Sequence, residues 1–164
     1  MPSPFEILGV EARFDLDLAA LEKRYRELSR EAHPDAKRSA TLGASIDLNA
    51  AYRALKDDLS RGRALLEARG VAMGGEEREN DPGFLMEVME LREALGDARD
   101  AKDLGKVLVL ATRVRGFYDA SKKALTAAFA SSDHAIAKHH LGRLRYYRRF
   151  LDEVDVIQEE NELA

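Results

Sequence analysis

Three consecutive residues, His33-Pro34-Asp35, set an imidazole, a rigid ring and a carboxylate side by side. The other histidines, His134, His139 and His140, lie close in sequence. Adjacent residues point about 100° apart on a helix, so His139 and His140 share no metal face. Partly exposed helix positions account for all three. The chain has no cysteine, which removes disulfides, thiol catalysis, cysteine-held iron–sulfur clusters and cysteine-based zinc sites together. It also lacks a Gly-rich phosphate loop, a cleft-like pair of carboxylates and a nucleophile with a base at motif spacing. These residues offer no catalytic, cofactor or metal site, and none is expected.

Composition sets wider bounds. Hydrophobic residues make up 45% and charged residues 34% of 164 residues, a globular balance with enough length for a real core. The formal net charge of -4 argues against a nucleic-acid partner, although a local basic stripe is compatible with it. No apolar run approaches the roughly 18 residues that a bilayer span requires. Met1-Pro2-Ser3-Pro4 has neither the charged nor the apolar region of a secretory signal, so the expectation is cytoplasmic.

The elements that must position the tripeptide all read as helix. Ala, Leu, Glu, Arg and Lys are abundant and strand-type alternation is absent, which predicts an all-α fold. The clearest break runs from Gly70 to Gly83, with Gly74-Gly75, a charged run and Asp81-Pro82-Gly83. It divides the chain into residues 1–70, a linker at 71–83 and a helical unit at 84–164. In the first unit Asp17 can cap a helix from Leu18 to about Ala32. Leu18, Leu21, Tyr25, Leu28 and Ala32 share one stripe, while Lys23, Arg26 and Arg30 form a basic stripe on the other side. His33-Pro34 ends that helix, because the residue before proline is pushed out of the α region. A second helix through Leu48, Ala51, Tyr52 and Leu55 makes an antiparallel pair, and a short one from about Leu59 to Arg69 stops at Gly70.

The second unit should hold helices over about Pro82–Ala98, Ala101–Ala130 and Asp133–Glu160. Leu104, Val107, Leu108, Ala111, Val114, Tyr118, Leu125 and Ala128 supply the core stripe of the middle helix. Ile136, His140, Leu144, Tyr147, Leu151 and Val154 supply that of the last, with Asp133 as N-cap. Helices near thirty residues reach about 40–45 Å, so this unit should be an elongated helical hairpin or three-helix bundle.

A loop holding His33-Pro34-Asp35 between two antiparallel helices, the first with a basic outer stripe, resembles a J-domain. Phe5-Glu6-Ile7-Leu8-Gly9-Val10 resembles the opening of such domains, and Asn49-Ala50-Ala51-Tyr52-Arg53-Ala54-Leu55 resembles their third helix. Three matches in order across Phe5–Leu55 are far more specific than the tripeptide alone. The resemblance implies an antiparallel hairpin with short flanking helices, and stimulation of ATP hydrolysis by a DnaK-class chaperone. His33, Pro34 and Asp35 would make the contact, Asp35 as anionic acceptor for an arginine and His33 as a polar rim contact. Lys23, Arg26 and Arg30 would steer the encounter toward an acidic patch. The plainer account, in which His33-Pro34 only breaks a helix and Asp35 caps the next element, leaves the flanking pattern unexplained. Many J-domains carry lysine directly after the aspartate; this chain has Ala36 and then Lys37, and the following loop is short, which displaces the loop's basic contribution.

Beyond the linker, Phe84, Val88, Leu91 and Leu95 fall on one helix face, within about 60° of each other. Leu85, Met86 and Met89 are left over at about 90–190° from it, beside Glu90, Arg92 and Glu93. An exposed apolar patch with a charged rim reads as a protein-binding site, and methionine suits an adaptable one. Spacing equally allows the last helix to cover these residues as ordinary core. Phe84-Leu85-Met86-Glu87-Val88-Met89-Glu90-Leu91-Arg92-Glu93-Ala94-Leu95 and Leu65-Leu66-Glu67-Ala68-Arg69-Gly70 resemble HscB-type co-chaperones of iron–sulfur cluster assembly, over nearly the whole chain. That resemblance implies a C-terminal bundle that binds the scaffold protein IscU and presents it to the chaperone HscA. Its scaffold contacts map onto Leu85, Met86 and Met89, with Glu90, Arg92 and Glu93 as polar neighbours and Tyr146 from the last helix. Where the family often has leucine, this chain has Met89. Some relatives add a cysteine-based metal module, which is absent here, so the implied role is escort and not cluster carrier. The competing readings are a J-protein with another client and a helical DNA-binding or structural module. The acidic balance and the missing recognition-helix pattern argue against the last.

Overall fold

The computed structural model describes residues 1–32, 40–73 and 81–163, and the chain divides into two compact units, Met1–Gly74 and Gly75–Ala164. All regular structure among the described residues is α-helical. No described helix is long and apolar enough to cross a membrane.

In the first unit, α1 (Pro4–Leu8) starts from a capping box: the Glu6 N–H donates to Ser3 Oγ at 3.3 Å and the Ser3 N–H to Glu6 Oε2 at 2.8 Å. It stops at Gly9, whose φ of +63° is the left-handed conformation that closes a helix end. Arg13 then donates two bonds to Asp15, at 2.9 and 3.0 Å, and holds that carboxyl below the usual carboxylate range. α2 (Leu18–Glu31) opens where Asp17 accepts the Ala19 and Ala20 N–H groups. α3 (Ala40–Lys56) and α4 (Asp58–Ala68, capped by Asp57) follow, and the chain leaves α4 through Gly70 at φ +75°. Phe5, Leu8, Phe14, Leu21, Leu48, Leu55, Leu65 and Leu66 are buried. Leu18 differs from its sequence assignment: it is exposed at the edge of the packing, so the buried stripe of α2 begins at Leu21.

Sequence periodicity did not single out Arg61, which is only 3% exposed. Its Nε donates to the Phe14 carbonyl at 2.6 Å, Nη1 to the Leu55 carbonyl at 2.9 Å and Nη2 to Asp58 Oδ1 at 2.6 Å. The guanidinium also lies 4.8 Å from the Phe14 ring centre. One side chain thus ties the loop before α2, the end of α3 and the start of α4.

In the second unit, α5 (Pro82–Asp100), α6 (Leu104–Ala130) and α7 (His134–Leu163) form a three-helix bundle in which α6 packs along α7 and α5 covers both. Asp81 caps α5 through the Gly83 and Phe84 N–H groups and accepts from Arg143 Nη2 at 3.0 Å. At the other end Arg99 pairs with Glu160. These two ties make α5 run parallel to α7. The core joins Phe84, Leu91, Leu95 and Ala98 to Val107, Leu110, Ala111 and Val114 and to Tyr147, Phe150, Val154 and Ile157.

The core stripes expected for α6 and α7 need correction. Leu104 and Leu108 (44% exposed) face solvent, while Leu110, Ser121 and Phe129 are buried. On α7, Ile136 is 47% exposed, His140 and Leu151 are half-buried, and Ala137, Leu141, Phe150 and Ile157 are buried instead. A single 3.6-period stripe suits a helix with one neighbour. Here α6 and α7 each touch two helices, which widens and rotates the buried arc, and nothing in the sequence says on which flank α5 will lie.

The turns after α5 and α6 each use a non-glycine residue in the left-handed region, Lys102 at φ +52° and Ser132 at φ +56°. The Asp103 and Asp133 N–H groups close back to the Ala98 and Ala128 carbonyls at 2.9 Å. An L-residue pays for that conformation, so Lys102→Gly should raise bundle stability by about 0.5–1 kcal/mol, read as an increased thermal midpoint.

Candidate functional site

Each unit carries one candidate surface. His33, Pro34 and Asp35, with Ala36 and Lys37, lie outside the described residues. What the structure describes is the pair of helices that leads into and out of them. α2 and α3 are clamped by parallel stacking of Tyr25 on Tyr52, with ring centres 4.3 Å apart and an interplanar angle of 8°. The Tyr25 hydroxyl donates to Asn49 Oδ1. At the exit of α2 the Ser45 hydroxyl donates to the Ala32 carbonyl at 3.3 Å, satisfying one of the acceptors that a helix end leaves without an intrahelical partner.

Lys23, Arg26 and Arg30 are all exposed on α2, away from buried Leu21. Arg26 also pairs with Glu22 one turn earlier at 2.6 Å, so part of its field is offset locally. Arg24, one residue from the stripe, has a different role. Its Nε donates to the Leu8 carbonyl at 3.2 Å, and its guanidinium sits 3.3 Å from where a Cβ on Gly9 would be. It fastens α2 to the end of α1.

On α5 the two faces are unequal. Phe84 is 3% exposed, with Arg143 4.6 Å above its ring centre and Tyr146 and Tyr147 in edge-on contact at 5.6 and 5.7 Å. Leu85 is half-buried and packs against the core. Met86 and Met89 are 65% and 70% exposed. Glu90, Arg92 and Glu93 are exposed around them. Tyr146 is half-buried, and its contact with Phe84 brings α7 to the end of α5 that bears Leu85. The residues singled out on α5 thus lie away from its buried Phe84–Leu91–Leu95 side, whereas Tyr146 of α7 packs on Phe84 at the core. The Asp81–Arg143 and Arg99–Glu160 ties hold the Met86 and Met89 side outward. Sequence reading missed both ties, since partners sixty residues apart leave no local signal.

The family model of the DnaJ domain matches residues 3–63, and that of the HSCB C-terminal oligomerisation domain matches residues 80–155. The co-chaperone HscB homolog of Shewanella sp. strain MR-4 is 32% identical, with 94% of this chain and 96% of the relative covered. An Arabidopsis thaliana protein, the iron–sulfur cluster co-chaperone HscB homolog, is 30% identical over 92% of this chain and 61% of its own length. The structure of chaperone HscB from Vibrio cholerae superposes with a TM-score of 0.86 at 28% identity, covering 97% of this chain and 99% of that one. With the helical J-type unit, the three-helix bundle and similarity along nearly its whole length, the chain belongs to the HscB family of J-domain co-chaperones of iron–sulfur cluster assembly.

Proposed function

We propose that this protein is a two-ended adaptor. Its N-terminal unit stimulates ATP hydrolysis by a DnaK-class, HscA-like chaperone through His33, Pro34 and Asp35, with Lys23, Arg26 and Arg30 steering the encounter. Its C-terminal unit holds an IscU-like iron–sulfur scaffold on Leu85, Met86, Met89 and Tyr146, rimmed by Glu90, Arg92 and Glu93. The adaptor performs no bond chemistry itself. Joining both binding surfaces in one chain raises the effective concentration of scaffold at the chaperone without any new contact.

The observation that carries this reading is the exposure of Met86 and Met89 on a helix whose opposite side is packed and tied at both ends. Two large apolar side chains in water are a standing cost that a partner surface relieves, and a charged rim is what such interfaces have. Met86→Ser with Met89→Ser should weaken binding of purified scaffold by about 2–3 kcal/mol, the loss typical of central interface residues. Isothermal titration measures it, and thermal unfolding should stay within about 1 kcal/mol, because neither residue is in the core. Undiminished scaffold affinity in that variant would remove the patch from the interface.

A further inference from the structure

From the exposure of Met86 and Met89 we infer that the patch is an oxidation site, at which conversion of the two thioethers to sulfoxides by a hydroperoxide releases the scaffold reversibly. The inference rests on the reading that this patch receives the scaffold. The chain has four methionines. Met1 is at the exposed terminus, Met73 is half-buried, and Met86 and Met89 stand 65% and 70% exposed one turn apart on α5. A leucine would fill the same surface with no redox chemistry.

The chemistry balances with a hydroperoxide alone. The thioether sulfur attacks the distal peroxide oxygen, an S–O bond forms as the O–O bond breaks, and the displaced oxygen takes up a proton to leave as water or an alcohol. Sulfur loses two electrons and the peroxide gains them. The product is polar and chiral, and methionine sulfoxide reductases reverse it. Met86 and Met89 lie on the outer side of α5, opposite buried Phe84, Leu91 and Leu95, so two new S–O dipoles change the interface and spare the core. Oxidation of both should weaken apolar docking much as truncation does.

The test uses the full chain and hydrogen peroxide. Peptide mass spectrometry should find Met86 and Met89 oxidised as fast as terminal Met1. Scaffold titration should then show affinity reduced by about tenfold or more, as expected for losing a central apolar contact. Treatment with the two sulfoxide reductases should restore it. Met86→Leu with Met89→Leu, measured against its own untreated affinity, should lose none of it after peroxide, although Met1 still oxidises. The inference is overturned if Met86 and Met89 resist peroxide, if their sulfoxides bind scaffold as well as the thioethers do, or if the double leucine variant loses as much affinity on treatment. If untreated protein does not bind scaffold, the adaptor reading falls first and takes this inference with it.

Discussion

His33→Gln is expected to abolish stimulation of the partner chaperone's ATPase, leaving less than about a tenth of the wild-type effect. Glutamine keeps a polar side chain of moderate size and removes the imidazole, so the variant tests one contact and not the loop's existence. Loss of a hydrogen bond in a charged setting costs about 1.5–3 kcal/mol, which at 1.4 kcal/mol per decade is about ten- to hundredfold. The fold should not notice. The buried residues of the first unit, from Phe5 through Leu66, belong to α1, α3, α4 and their neighbours, and α2 and α3 are clamped independently by Tyr25, Asn49 and Tyr52. Scaffold binding should also persist, since those contacts lie in the other unit. Single-turnover ATP hydrolysis with and without the variant measures the first effect, and scaffold titration the second. Normal stimulation by His33→Gln would remove the tripeptide from the mechanism. Asp35→Asn should fail in the same way, because it deletes the charge that an arginine on the partner would meet.

Arg61→Met should destabilise the first unit by about 3–4 kcal/mol, a loss on the scale of breaking a buried ion pair by removing one partner. Methionine replaces much of the apolar volume, so the effect isolates the polar contacts. Three acceptors lose the guanidinium together: the Phe14 carbonyl, the Leu55 carbonyl and Asp58 Oδ1. Each hydrogen bond from the charged guanidinium is worth about 1.5–3 kcal/mol, and these are not additive. Arg61→Lys should recover only part of the loss, because an ammonium is a single point and cannot reproduce a planar fork reaching three directions. Hydrogen exchange resolved by segment is the appropriate measurement, with protection lost in α3 and α4 and retained in α6 and α7. Unchanged protection throughout would show that water replaces the guanidinium at little cost. A chain that fails to hold α3 and α4 would also present its tripeptide poorly, so reduced ATPase stimulation should track the lost protection.

Local chemistry made the helices legible. Ser3, Asp17, Asp57 and Asp81 each accept backbone N–H groups at a helix start, and Gly9 and Gly70 end helices in the left-handed conformation. Asp17, Gly70 and the Phe84 face were readable because caps and periodicity act within a few residues. The basic stripe of Lys23, Arg26 and Arg30 was readable for the same reason: one helix suffices to place them on its outer side. The stripes of α6 and α7 were drawn partly on the wrong residues, since burial there depends on two neighbours at once.

The sequence by itself therefore determined an all-α chain, its helix ends, the basic face of α2 and the presence of surplus apolar residues on α5. Only the tertiary structure decided that Met86 and Met89 face water while Leu85 leans on the core, that Tyr146 packs edge-on against Phe84, and that Arg61 is buried. The physical reason is range. Caps, turns and helical period are settled by neighbours in sequence, whereas burial and the choice between patch and core are settled by helices tens of residues away, whose approach no local pattern encodes.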